Sequence, residues 1–233
     1  MTIKDYSVSL LGGSGANDYT KFMQTDALLS LQQNPQDMRH RDELLFQIVH
    51  QSTELWLKLS CNELTEAAKL IESNQINKAT ALLHRSAFAI ELITNQLTML
   101  KFMTPWDFQG VRPALGNGSG FESPGWKSIQ KIGNKLSIIF DKLIKNNSID
   151  LIDIYKSKRD SFMFNLAEAL IEWDEQIALW RTRHYKVAVR TIGHNTVGTK
   201  GMPIDKLTKL ISYQFFPKLW EVRTQLTNSG SSY

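Results

Sequence analysis

Apolar residues recur along this chain at steps of three and four, and nowhere in sustained steps of two. The clearest case lies between Leu170 and Thr191, where Leu170, Trp173, Ile177, Trp180, His184, Val187 and Thr191 share one helical face. The pattern predicts a long helix over 160–193. A second is predicted over 40–73, with one stripe of Leu45, Ile48, Ser52, Leu55 and Leu59 and a neighbouring stripe of Phe46, His50, Thr53 and Leu57. A helix apolar on two sides belongs inside a bundle rather than on its surface. Shorter patterns predict helices over 19–33, ended by Asn34-Pro35, and over 126–145 and 149–155. Another is predicted over 77–103, with Ala79, Leu82, Leu83, Phe88, Ile90, Leu92, Leu97 and Leu100 as core positions. The last spans 204–227, where Pro217 is expected to kink or end it. The expected fold class is all-α. No repeat, low-complexity tract or linker divides the chain, so one domain spanning 1–233 is expected.

Periodicity fails over 104–125, TPWDFQGVRPALGNGSGFESPG, which holds three prolines and five glycines. So long a loop inside a helical domain is functional or disordered, and Trp106, Phe108 and Phe121 argue against disorder. Arg112 lies among these aromatics. An arginine near apolar groups seeks a carboxylate in a two-pronged pair, supplied either by a neighbouring helix or by a ligand. Ser119, flanked by glycines, can offer its hydroxyl to a ligand or simply turn the chain. A second glycine-punctuated segment, GHNTVGTKGMP, follows the long helix; it has the look of a lid and lacks the phosphate-loop pattern.

Composition narrows the function classes. With 42% hydrophobic and 21% charged residues, the chain reads as an ordinary soluble globular protein. One cysteine, Cys61, excludes an intrachain disulfide and thiolate-rich metal sites, and suits a reducing cytoplasm. No signal-peptide pattern opens the chain, and no apolar run approaches the roughly 20 residues of a membrane span. The net charge of +4 is spread among acidic residues without a binding motif, so neither nucleic acid nor membrane is expected as a partner.

Of five histidines, His40 and His84 lie beside arginines and read as surface residues, and His194 sits in the second glycine-rich loop. His50 and His184 lie within apolar faces of different helices. Each could be a core histidine bonded to a carbonyl, since leaving its ring unpartnered would cost roughly 1–3 kcal/mol. Each could equally serve a cofactor in a bundle core. Zinc would need three or four ligands, and no spacing supplies them. Haem needs a single proximal nitrogen, leaving the other ring for the opposite side.

Four segments in order, YTKFMQTDALLSLQ, DELLFQIVHQSTELWLKL, TPWDFQGVRPALGNGSGF and WRTRHYKVAVRTIG, resemble the tryptophan 2,3-dioxygenase family and its haem-dependent relatives. The resemblance runs from Tyr19 to Thr199. It implies a helical bundle enclosing one b-type haem per chain, a homo-oligomer (dimer or tetramer), and cleavage of the indole C2–C3 bond of L-tryptophan by O2 to N-formylkynurenine. By the same resemblance His184 is the proximal iron ligand, with Trp180 one turn earlier and Ser119 beside the haem. His50 is the distal residue that accepts the indole N–H, and Phe46 is the ring next to it. Arg112 clamps the substrate carboxylate, Leu115 walls the indole pocket and Thr199 binds the amino-acid head group. Tyr19 and Phe22 match aromatics that reach into a neighbouring subunit's pocket. Two departures stand out. The family's Gly-Thr-Gly-Gly-Ser-Ser-Gly loop is here Gly198-Thr199-Lys200-Gly201-Met202-Pro203, one residue farther from His184, and the chain is short for the family. Both are expected of a specialised relative. A haem monooxygenase of a tryptophan-like or tyrosine-like amino acid is therefore the alternative, and a haem sensor or carrier without turnover a third.

Overall fold

The computed structural model describes residues 8–157 and 161–230. Among them every regular element is helical, and a lone bridge between Val197 and Pro203 closes a loop. The all-α class read from the periodicity is what the chain adopts. No helix among the described residues is long and apolar enough to cross a membrane.

The chain opens with α1 (Asp18–Met23) and α2 (Thr25–Ser30), not with the single helix predicted over 19–33. Gln24 separates them in the left-handed region, at φ 53°. The apolar residues of this stretch do not enter the core: Phe22 is 73% exposed and Leu29 71%.

Next come α3 (Glu43–Glu72) and α4 (Ile76–Gln96). The α3 start is fixed by Glu43, whose carboxylate accepts the Arg39 and His40 amides at 2.9 and 3.0 Å and so ties the turn that precedes the helix to its first residue. Only one of its two predicted apolar faces is buried. Val49, Thr53, Leu57, Ser60 and Leu64 face inward, while Ile48 and Leu55 stay about half exposed. Phe88 of α4 is likewise exposed, so periodicity overstated the apolar face of both helices.

The stretch 104–125 is more regular than predicted. Thr104 and Asp107 form a reciprocal cap with Pro105 at the first position, and α5 (Pro105–Val111) follows. Single 3₁₀ turns then cover Arg112–Leu115 and Gly120–Glu122. Ser123 and Pro124 repeat the cap-then-proline arrangement to start α6 (Pro124–Asn146). After α7 (Leu151–Ser157) comes the long α8 (Phe162–Ile192), capped by Ser161 and ended at Gly193, where φ is +84°. Its predicted start at Asp160 lies outside the described residues.

The C-terminal helix predicted over 204–227 is broken into a 3₁₀ turn, α9 (Thr208–Ile211) and α10 (Pro217–Gly230). Pro217 opens α10 instead of ending a helix, because the first helical position needs no N–H. The break is held by two buried groups of α8. Asp174 accepts the Phe215 and Phe216 amides and the Trp220 indole N–H at 2.9–3.2 Å, and Arg181 donates to the carbonyls of Leu210 and Tyr213.

Helix α4 packs against both α3 and α8, and α6 packs on α3 with Gly133 and Trp126 meeting α8 at Trp173 and Trp180. Leu57, Leu64, Leu83, Ile90, Leu136, Leu170, Trp173 and Ile177 form the main core. A smaller cluster of Val49, Leu97, Leu100, Met103, Val111 and Val187 lies near one end of the α3–α8 pair, with Phe46, Phe108 and Trp180 against it. That end carries the candidate chemistry.

Candidate functional site

Phe46 and His50 sit one turn apart on α3, their rings stacked with centroids 4.0 Å apart. The His50 Nδ1 lies 2.7 Å from the Phe46 carbonyl. A carbonyl only accepts, so Nδ1 carries the hydrogen and a neutral ring presents Nε2 as a bare acceptor. Surrounding protein pulls the pKa of His50 below its usual 6.5, an effect opposed by the Phe46 carbonyl and the charge of Glu54. The side chain remains open to solvent, as a group lining a recess would be.

Across from it, α8 presents His184. Its ring lies flat on Trp180, with centroids 4.8 Å apart and planes 8° from parallel, and Trp180 packs on Trp126 at 3.9 Å. Burial drives the His184 pKa down to about 4, and the nearby His50 pushes the same way. His50 is thus near enough to oppose protonation of His184, and both rings are neutral at pH 7. Neither nitrogen of His184 makes a hydrogen bond among the described residues. The Trp180 indole N–H is also buried without a partner.

Arg112 closes α5, and its Nη2 donates to the carbonyls of Val197 and Gly198 at 3.1 and 3.2 Å. The helix-borne carboxylate weighed for it from the sequence is not its partner. Those carbonyls belong to a strap over 193–203 that lies on the 112–122 segment. The Thr199 hydroxyl donates to the Gly118 carbonyl and Lys200 pairs with Glu122. Leu115 is half-buried in the turn after Arg112. Ser119 is engaged locally: its hydroxyl caps its own 3₁₀ turn and its amide donates to Glu122.

Structure therefore brings together Phe46 with His50, Trp180 with His184, and Arg112 with the Thr199 strap. It does not bring Tyr19 and Phe22 to them; both project from α1 at 66% and 73% exposure. His84 is exposed, as read from the sequence, and pairs with Glu172 at 2.5 Å. His40 is not a free surface residue. Its Nε2 lies 3.6 Å from Asp107, and its ring packs so tightly on Gly110 that a Cβ there would come within 2.8 Å.

Three groups escaped the sequence reading. Gln96 donates to the Val49 carbonyl and the Thr53 hydroxyl and accepts from Ser52, bracing the α3 turn next to His50. Glu54, one turn beyond His50, binds the start of α6. Trp126 completes the ring stack. Only Glu54, polar and four residues from a stripe histidine, left a usable signal.

The family model of tryptophan 2,3-dioxygenase matches residues 5–150. The chain belongs to the tryptophan 2,3-dioxygenase family. It is accordingly an oxygenase enzyme, in a family that works with haem. His184, Trp180 and Thr199 fall after the matched segment, but full-length relatives extend past it. The tryptophan 2,3-dioxygenase of Myxococcus xanthus is 26% identical over 267 residues, covering 92% of this chain and 91% of its own. Those of an Arthrobacter species and of Bacillus anthracis are each 28% identical, covering 91% and 89% of this chain and 93% and 92% of their own. The alignment with the Myxococcus enzyme runs to more positions than the 233 residues present here, so that enzyme carries segments this chain lacks.

The side chains present fit a haem. A neutral imidazole free of hydrogen bonds offers one nitrogen, flanked by aromatic rings and an orphaned indole N–H. Among the described residues no group of three or more His, Cys, Asp or Glu gathers as a cage for a bare metal ion.

Proposed function

We propose that this protein is a haem-dependent dioxygenase that opens the indole ring of L-tryptophan, or of a substituted tryptophan, between C2 and C3 to give N-formylkynurenine. The reading includes one b-type haem in a single domain over 1–233, a homo-oligomer and a cytoplasmic setting. The observation that carries it is two neutral imidazoles on α3 and α8, His50 with a bare acceptor and His184 with no hydrogen bond among the described residues, in a chain of this family.

In this reading His184 holds the iron from α8, with Trp180 and Ser119 against the porphyrin. Haem, when bound, supplies the iron centre that activates O2, and that chemistry belongs to the cofactor. What the chain itself does is hold the substrate. His50 Nε2 accepts the indole N–H, a match an N–H donor makes with a neutral imidazole and not with an imidazolium. Phe46 fixes the plane of His50, and Leu115 walls the ring. Arg112 takes the amino-acid carboxylate. A charged carboxylate binds the guanidinium more strongly than the neutral Val197 and Gly198 carbonyls do, so substrate displaces the strap from Arg112 and frees Thr199 for the ammonium end. Fixing both ends of the amino acid presents C2 and C3 in one orientation. Tyr19 and Phe22, exposed on α1, complete the pocket of a second copy.

Arg112→Ala removes a charge-assisted pair worth roughly 1.5–3 kcal/mol, so KM for L-tryptophan rises about 10- to 150-fold while haem content stays at the wild-type level. An unchanged KM would take Arg112 out of the site. The reaction itself is tested by product mass under isotopically labelled O2. The expected product carries both labelled oxygen atoms and has lost the indole absorbance. Gain of one oxygen would replace the proposal with monooxygenation, and a Soret band without oxygen consumption on any aromatic amino acid would replace it with a sensor or carrier.

A further inference from the structure

A histidine that binds a metal is ordinarily aimed by a hydrogen bond to its other ring nitrogen. His184 has none among the described residues, so its plane is set by the ring it lies on. That ring, Trp180, is backed in turn by Trp126 in the first turn of α6. We infer that Glu54 is a positioning residue for the His184 ring, acting through Trp126 and Trp180 and tying that stack to the helix that carries His50. The inference rests on the proposed role of His184.

The path is short and continuous. One Glu54 carboxylate oxygen accepts the Gly125 amide at 2.9 Å, and the other accepts the Ser123 hydroxyl. The Ser123 oxygen accepts the Trp126 amide at 3.1 Å, so the carboxylate fixes the backbone that carries the indole. There is no slack at this junction. A Cβ on Gly125 would come within 2.7 Å of Leu57 Cβ, because α6 starts in direct contact with α3. Glu54 lies one turn beyond His50, so a single side chain relates the two faces of the site.

The test compares Glu54→Leu, Glu54→Gln, Trp126→Leu and the double variant Glu54→Leu/Trp126→Leu. The first readout is the near-ultraviolet circular dichroism of the haem-free chain, which reports the stacked indoles. The second is the ferric spin state of the haem-loaded protein, with kcat and KM beside it. Glu54→Leu is expected to lose at least half of the near-ultraviolet indole signal (an order-of-magnitude expectation for an unstacked pair), to shift the spin state, and to lower kcat with KM held. Gln, whose amide can accept from Gly125 and donate to Ser123, restores all three. Adding Glu54→Leu to Trp126→Leu changes nothing more, the non-additivity of residues acting along one path. Wild-type spectra for Glu54→Leu, failure of Gln to restore them, or additive effects in the double variant would each overturn the inference. If Glu54→Leu does not fold, Glu54→Asp, whose carboxylate stops one methylene short of Gly125, must shift the same signals, and wild-type signals there overturn it too. The haem-free readout keeps this outcome separate from the fate of His184 as ligand, which is decided by haem retention in a His184 variant.

Discussion

His184→Ala protein purified from haem-supplied cells is expected to come out nearly colourless, with its Soret band reduced to about a tenth or less of the wild-type value. Turnover of L-tryptophan should fall by on the order of a thousandfold, the rate equivalent of about 4 kcal/mol. Helix α8 carries no other histidine and no cysteine, so an alanine leaves no imidazole or thiolate donor on that helix. The imidazole also lies flat on Trp180 without a hydrogen bond of its own, so its removal opens a space without uncovering a competing partner. Such a space is of the kind that small planar molecules enter when a large side chain is cut back. Imidazole added to His184→Gly protein should therefore restore a Soret band, and this rescue separates loss of a ligand from loss of fold. Full haem content and an unchanged spectrum in His184→Ala would remove the residue from the site. Helical content equal to wild type accompanies the expected result, because the main core from Leu57 to Ile177 is untouched.

How far the sequence anticipated this arrangement depends on what each residue's role leaves as a trace. The α8 stripe was legible because most of its face is buried: Leu170, Trp173 and Ile177 are fully buried, and His184 broke an apolar series at a position where something had to satisfy it. The Leu45–Leu59 stripe of α3 misled, since Ile48 and Leu55 repeat at helical spacing whether they face a core or solvent. Period alone cannot say which face has a partner. The 104–125 segment read as irregular because its helix is only seven residues long, and its cap pair Thr104–Asp107 carried the better signal. Arg112 was identifiable by type and setting, but its present partners are backbone carbonyls, which leave no mark in a sequence. The same is true of Trp126, whose place depends on a proline, a glycine and the distant Glu54.

The C-terminal break was the least legible feature, and its keystone predicts a large loss of stability. Asp174 is 2% exposed and its carboxylate serves three donors that have no other acceptor among the described residues: the Phe215 and Phe216 amides and the Trp220 indole. Desolvation raises its pKa above the usual carboxylate value, opposed by those three hydrogen bonds and by the charge of Arg181. Asp174→Ala orphans all three donors and leaves the Arg181 guanidinium buried without a counter-charge. Breaking a buried charged arrangement by removing one partner costs about 3–5 kcal/mol, which for a chain of this size lowers Tm by roughly 10 °C. Asp174→Asn keeps an acceptor oxygen for the Phe215–Trp220 donors and is expected to lose clearly less. The sign of the pH dependence follows from the raised pKa. Folded Asp174 holds its proton to higher pH than the unfolded chain does, so its ionisation opposes folding as pH rises from the unfolded value of about 3.9 through the folded one. The stability gap between wild type and Asp174→Asn should therefore change across that window, and stay constant above it. Urea unfolding of the haem-free proteins followed by circular dichroism measures both. An Asp174→Ala midpoint equal to wild type would mean that Phe215 and Phe216 are held on Trp173 by apolar packing alone.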